Sequence, residues 1–264
     1  MAFVAVPGPF NFTLTTERFR AFGVDRTMVW HEGGLHLVVE GREVRIEDAD
    51  GGVDVEPYDT EIEPVVHAVL GLAFELDPFY AWAARNDVLG QIVPALAGFR
   101  PALAPDPFEF LVGAIASQQV SLFSALAVRN RLVERFGEQA DHAWAFPSRD
   151  RLARVREEEV AALGFTRQKA GYVVGLARAD VDLDALASLP DDDVRERLVV
   201  LNGIGAWTAE WFLARHLGRP HAWPPGDVAL RKAVAPLDDV RARVRFHPFE
   251  TLSAHYLLLA QRIL

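Results

Sequence analysis

A chain of 264 residues, 50% hydrophobic and 24% charged, has room for two or three small domains or one large one, and excludes wholesale disorder and low-complexity repetition. The absence of cysteine removes disulfide frameworks, thiolate nucleophiles, cysteine-bound zinc and iron–sulfur clusters. The formal charge of -10 argues on its own against a nucleic-acid partner, yet it averages a gradient: residues 1–100 carry 16 acids against 7 bases, and residues 201–264 carry 5 against 8.

In chain order, Met1 to Phe10 lack the basic stretch that opens a signal peptide, and no run of about 18 uninterrupted apolar residues follows anywhere. An intracellular, cytoplasmic protein with no membrane partner is expected. Thr27 to His31, Gly34 to Glu40 and Arg42 to Glu47 alternate with a period of two, separated by Glu32-Gly33-Gly34 and Gly41 and followed by Gly51-Gly52. That pattern predicts an antiparallel meander. From about Glu61 the period turns helical and is expected to stay so to the end. Pro94, Pro101, Pro105 and Pro107 mark a linker and a domain junction near residue 100, ahead of one long helical segment from Phe108 to Phe136.

Further helices are predicted over Ser148 to Leu163, Thr166 to Ala179, Asp191 to Val200, Ala206 to Leu217, Val228 to Ala235 and Phe249 to Ile263. Asp191, Asp192 and Asp193 suit a first turn, while Gly164 and Gly218 stand where helices should end. No repeat of 20 to 50 residues is present, so a solenoid is not expected. The fold class is α+β, an N-terminal antiparallel sheet followed by a helical body.

The stretch Leu201-Asn-Gly-Ile-Gly-Ala-Trp-Thr-Ala-Glu-Trp211 is the most informative. Gly203 and Gly205 make a G-x-G with an acid, Asp227, about 20 residues on, but the preceding segment is a charged helix rather than a buried strand, and Thr208 occupies the third glycine position. A dinucleotide site is therefore not supported. What remains is a helix, a glycine hairpin and a second helix, which is either an ordinary turn or a place where outward-facing amides hold a phosphate without any lysine. Asp227, after Pro225-Gly226, suits an N-cap. Trp207 and Trp211 lie four apart on one helical face, as core residues also do. The eight histidines show no H-x-x-x-H spacing, so no catalytic metal is expected. Only Lys169 and Lys232 are lysines among 27 basic residues, a bias that GC-rich coding also produces.

Leu201-x-Gly203-Ile204-Gly205-x-Trp207-Thr208-Ala209, followed by Pro225-Gly226-Asp227, resembles the helix-hairpin-helix, Gly/Pro-rich loop and aspartate signature of the DNA glycosylase superfamily. Within it, the chain is most similar to the bacterial 3-methyladenine DNA glycosylase II family. Phe108 to Ser121 resembles that family's helix and minor-groove loop, and Phe146-Pro-Ser through Lys169-Ala its next block, so the similarity covers about residues 100–255. The N-terminal segment is consistent with the family's TATA-binding-protein-like domain. The division that goes with this is residues 1–78, residues 79–111 with 220–264, and residues 112–219.

The resemblance implies a monofunctional, monomeric glycosylase that flips alkylated purines out of double-stranded DNA and hydrolyses their N-glycosidic bond, with no cofactor. By position Asp227 is its catalytic carboxylate, stabilising an oxocarbenium-like sugar and orienting or deprotonating water. Trp207, Trp211 and Phe249 fall where the family lines its base pocket. Gln118, Gln119 and Ser121 fall in the minor-groove loop, with Gln119 where close relatives carry an apolar wedge. Gly203, Ile204, Gly205 and Thr208 belong to the DNA-gripping hairpin. Bifunctional relatives place a Schiff-base lysine where this chain has Trp207, so strand cleavage is not expected, and Lys169 and Lys232 are assigned to phosphate or solvent. Family analogy also allows a monovalent cation on hairpin carbonyls between Gly203 and Trp207. Two rivals stand beside this reading: a non-catalytic helix-hairpin-helix DNA-binding protein, and a glycosylase for oxidised or deaminated bases.

Overall fold

A computed structural model describes residues 1–264. Five antiparallel strands, β1 (Ala2–Ala5), β2 (Val29–His31), β3 (Gly34–Val39), β4 (Arg42–Ala49) and β5 (Gly52–Glu56), make one sheet in the order β1-β5-β4-β3-β2. The register sets Leu35 opposite Ile46 and Leu37 opposite Val44. Because side chains alternate between faces, one face buries these residues with Val53 and Val55 against Ile62, Val66 and Val69. The other face carries His36, paired with Arg45, and Glu43, paired with Val38.

The region predicted as strands, residues 27–57, holds β2 to β5, although β5 begins at Gly52, which reads as a turn residue; β1 lies outside it and pairs with β5 over a long range, Ala2 opposite Val55. No local pattern announces such a pairing.

A second, larger hydrophobic core runs from Phe74 to Ala260. Arg100 ties the two parts together: it is buried, and its guanidinium donates to Phe74 O at 2.7 Å and to Pro7 O at 2.9 Å. The C-terminal helix Glu250–Ile263 is packed into the body, where the Tyr256 hydroxyl donates to Phe99 O at 2.8 Å. The fold is α+β, with the sheet at the N-terminus and helices beyond it.

Three expectations about the body are corrected. The Phe108 to Phe136 segment is two helices, Pro107–Ser117 and Leu122–Phe136, each with its own cap: Asp106 accepts from Glu109 N at 2.6 Å and Ser121 Oγ from Ser124 N at 3.2 Å. Capping groups satisfy first-turn amides that have no partner within the helix, so the second cap starts a new helix. Ser148 to Leu163 likewise splits into Arg149–Ala153 and Glu157–Ala161. Nor is the body helical throughout, because β6 (Glu138–Gln139) and β7 (Trp144–Ala145) form a small hairpin that packs against β3. The helices Arg167–Arg178, Asp191–Val199, Ala206–Arg215 and Val228–Ala233 fall within two residues of their predicted ends, and Asp239–Phe246 adds one more. Gly164 and Gly218 take φ of +101° and +63° at helix ends. No helix is long and apolar enough to cross a membrane.

Candidate active site

The helix Asp191–Val199 and the helix Ala206–Arg215 are joined by a turn built around Gly203. At φ +86°, with a Cβ there falling 2.4 Å from the Tyr172 ring, only glycine fits this position. Ile204 anchors the turn, buried, its N–H donating to Leu201 O at 3.0 Å. Gly205 is different. Its φ is -109°, an added Cβ would meet nothing, and as N-cap it offers no side chain to the first turn. Those amides, uncapped by a side chain, stand at the positive end of a helix dipole beside the open space at Gly205, a geometry that accepts a phosphate.

The turn is held from the side by Gln118, whose amide Nε2 donates to Gly203 O at 2.7 Å. Gln118 therefore joins loop to hairpin through its side chain. Gln119 is exposed at the tip of the break between helices, in the left-handed region at φ +56°, and exposed Val120, Leu122 and Phe123 surround it. Ser121 is an exposed helix cap. Thr208 is buried at 1% exposure, so its side chain is not offered at the surface and any contact it makes falls to its backbone.

Asp227 brings the two halves of the site together. It caps the helix Val228–Ala233, its Oδ1 accepting from Ala229 N and Leu230 N, each at 3.0 Å. Its Oδ2 accepts from Trp207 Nε1 at 3.0 Å and Trp211 Nε1 at 3.1 Å. The two indoles reach the same oxygen because they stand one helical turn apart on one face. Cap and site are thus one group. Gly226, at φ +72°, makes the turn before it, with its N–H on Asp239 Oδ2 at 2.9 Å.

Both tryptophans line a cavity of about 300 Å³, the small end of the range for ligand sites, roughly 300–1,000 Å³. Asp227, half-buried, is not itself a lining residue and joins the cavity through its bonds to both indoles. On the opposite side the cavity is closed by Phe22 and Asp25 from the N-terminal part and by Phe110 and Arg129 from the helices on either side of the Gln119 break. Arg129 pairs with Asp25 at 2.6 Å and also with Glu109. Burial alone would raise the Asp25 carboxyl, but Arg129 and the Thr27 donors hold it below the usual range.

Arg215 was not singled out from the sequence, although it continues the face of Trp207 and Trp211 at the next turn. Its guanidinium lies 3.6 Å from the centre of the Trp211 ring and lines the cavity. No carboxylate pairs with it, and its Nε is buried without a partner. Burial first, then repulsion from Arg18, pull its pKa down to about 9, against the attraction of Asp227. His255, 5.7 Å from Trp211, is kept well below the ordinary imidazole range by burial and by Arg215.

This changes two assignments. Trp211 is 2% exposed with one face covered by Arg215, so it holds Asp227 and walls the cavity, and that face is closed to a base. Phe249 does not line the cavity; it packs on Phe79 and Trp82, with ring centres 5.6 and 5.4 Å away. Trp207 remains half-buried and borders the cavity. No lysine does. Lys169 donates to Ala116 O at 2.9 Å, and Lys232 is exposed on the helix that Asp227 caps.

A glycine hairpin beside a cavity walled by indoles that grip one capping aspartate defines a class, and residues 112–245 match the model of the HhH-GPD superfamily of base excision DNA repair proteins. The chain belongs to that family. It is 29% identical over 202 residues to a DNA-3-methyladenine glycosylase of Bacillus subtilis, a match covering 73% of this chain and 67% of that protein. It is 30% identical over 152 residues to DNA-3-methyladenine glycosylase 2 of Escherichia coli, covering 56% of this chain and 54% of the relative. In fold it resembles a 3-methyladenine DNA glycosylase of Archaeoglobus fulgidus, with a TM-score of 0.88, 23% identity and coverage of 99% and 98% of the two chains.

Proposed function

We propose that this DNA glycosylase is a monofunctional hydrolase that releases alkylated purines of the 3-methyladenine type from double-stranded DNA, acting as a monomer on a nucleotide flipped out of the stack. The observation that carries the reading is the carboxylate of Asp227, fixed by two backbone amides on one oxygen and, on the other, by the indole N–H donors of two tryptophans that line a cavity of about 300 Å³. Loss of a base leaves an oxocarbenium-like sugar, and a fixed negative charge in a site of low dielectric stabilises it.

The hydrogen bonding narrows the role of that charge. A carboxylate offers about four lone-pair positions, and all four on Asp227 are occupied by N–H donors. In this arrangement Asp227 acts as an oriented counter-charge, and proton removal from water requires one donor to yield. A purine alkylated at N3 or N7 leaves as a neutral base, so no strong general acid is needed opposite it. The absence of lysine from the cavity lining supports hydrolysis over Schiff-base chemistry.

Duplex binding falls to the hairpin amides from Gly205 onward, and the gap left by the extruded nucleotide to Gln119 with its exposed apolar neighbours. The test is to incubate the protein with methylated duplex DNA and identify the products. Free 3-methyladenine with an intact, alkali-labile strand is expected. Strand cleavage without alkali would contradict the hydrolase reading, and duplex binding with no released base would leave only a DNA-binding module.

A further inference from the structure

On the face of the sheet away from its core, one carboxylate faces two imidazoles, with a third stacked behind them. His36 on β3 and Glu43 on β4 both project from that face, as the register requires, and His142 reaches them from the loop between β6 and β7. Nδ1 of His36 and Nδ1 of His142 each lie 2.8 Å from the same oxygen, Glu43 Oε1. The other oxygen is already engaged: Oε2 accepts from the backbone N–H groups of His142 at 2.7 Å and Ala143 at 3.0 Å. The carboxylate is thereby pinned with Oε1 turned toward the two rings. The ring of His31, from β2, stacks on His142 with centres 4.3 Å apart and lies 5.8 Å from His36.

Burial makes this grouping unusual. His36 is 5% exposed, and its Nε2 has no partner, so the ring's only polar engagement is with this cluster. The Glu43 side chain is 11% exposed, and only histidines pair with it, with no lysine or arginine. An ionised carboxylate withdrawn from water requires compensating charge. We propose that His36, Glu43 and His142 bind one divalent transition-metal ion, which clamps the N-terminal sheet to the hairpin of the helical body.

The three ligand atoms lie within 4.8 Å of one another. A tetrahedral ion with bonds of about 2.0–2.1 Å holds its ligand atoms roughly 3.3 Å apart, so the gaps of 2.8 Å need open by only about half an ångström. Two imidazoles and one carboxylate suit zinc, cobalt or nickel better than magnesium or calcium. A water completes the shell, or His31 does so by leaving its loose contact with Glu32 at 3.9 Å. The spacing of the three ligands in the chain carries no signal, because the site exists only once hairpin and sheet are docked.

His221, His247 and Glu250 form the other grouping of this kind, also with a buried carboxylate paired only with histidines, but there each Nδ1 has its own carboxylate oxygen, at 3.1 Å, and neither ring is buried as His36 is. That cluster serves as the internal control. The test uses the full-length protein stripped with a chelator and titrated with Co²⁺, read by its visible absorption, and then with Zn²⁺ by calorimetry. One ion per chain is expected, with affinity at least about tenfold weaker in Glu43→Gln and in His142→Ala, and unchanged in the double variant His221→Ala/His247→Ala. Zn²⁺ should raise the unfolding temperature of the unaltered protein but not that of His142→Ala, an exposed position whose replacement leaves the cores untouched. Absence of stoichiometric binding, or binding that survives His142→Ala or is lost with the control pair, would overturn the proposal.

Discussion

Asp227 resolves two readings that sequence spacing leaves open, since it is the N-cap of Val228–Ala233 and the group held by both indoles at once. Arg215 is one of several charged groups lining the cavity, with Arg18, Arg129 and Arg262 on one side of the balance and Asp25, Asp106 and Glu109 on the other. Being unpaired and against Trp211, its guanidinium weakens the hold on a cationic base without reversing the proposed preference for one. Arg215→Gln should therefore raise the ratio of 3-methyladenine to hypoxanthine release by about fivefold or more, measured on matched duplexes, and an unchanged ratio would show that Arg215 does not face the base. His255 makes a prediction about stability. Its folded pKa lies below the ordinary imidazole value because of burial, so in the window below about pH 6.5 the unfolded chain binds the proton first and stability falls as pH falls, by at most ~1.4 kcal/mol per unit for one group. Urea unfolding at pH 7.5 and 5.5 should show a smaller loss in His255→Gln than in the unaltered protein; equal losses would contradict it. Spacing alone shows Asp227 as a cap and the two tryptophans as neighbours on one helical face; that the three belong to one site is what the family resemblance implies. Arg215 is not legible in the sequence, because its lack of a partner is a property of the packed molecule. Phe249 misleads for the same reason: an aromatic after a proline looks alike whether it meets a base or Trp82.

The two hairpin glycines separate structure from binding within one element. Gly203 is held at φ +86° with no room for a Cβ, so Gly203→Ala should destabilise the protein by about 1–3 kcal/mol in chemical denaturation. Gly205 has an ordinary φ and open space around it. Gly205→Val should leave the unfolding midpoint nearly unchanged while weakening binding to lesion-bearing and undamaged duplex alike by about tenfold. Equal destabilisation by both changes would mean that the hairpin's glycines serve only its fold. The sequence shows the hairpin clearly and its tether poorly. Gln118-Gln119-Val120-Ser121 is polar enough to end a helix, and Ser121 is a cap residue, yet the surrounding apolar period runs on from Phe108 to Phe136 and hides the break. The contact from Gln118 to Gly203 O spans 85 residues and has no local signature at all.

At the scale of the molecule, the cavity is assembled from distant parts of the chain: the segment around Phe22 and Asp25, the helices flanking Gln119, the hairpin's second helix and the C-terminal helix. Its floor is the edge of the larger hydrophobic core, which contributes Phe99, Leu103, Trp211 and Leu259 to the lining. The cavity opens where the N-terminal part, tied down by Arg100 and by the ion pair of Arg129 with Asp25, closes over the body. Helices with a 3.6-residue period are readable one at a time, whereas the long-range pairing of β1 with β5 and the docking of β7 on β3 depend on the whole chain being folded. The charge gradient follows the same plan, with the acidic excess in the sheet-bearing part and the basic excess beyond residue 200, where the hairpin's second helix lies.

The most direct measurement is single-turnover base release by Asp227→Asn on duplex DNA carrying 3-methyladenine, with binding to the same duplex measured alongside. Asparagine keeps an oxygen for the two capping amides but brings an NH₂ group to the indole donors and removes the charge. Release should slow by at least about 100-fold, some 2.7 kcal/mol of transition-state stabilisation, while affinity changes by less than about threefold. Release within about tenfold of the unaltered protein would contradict the role given to this carboxylate.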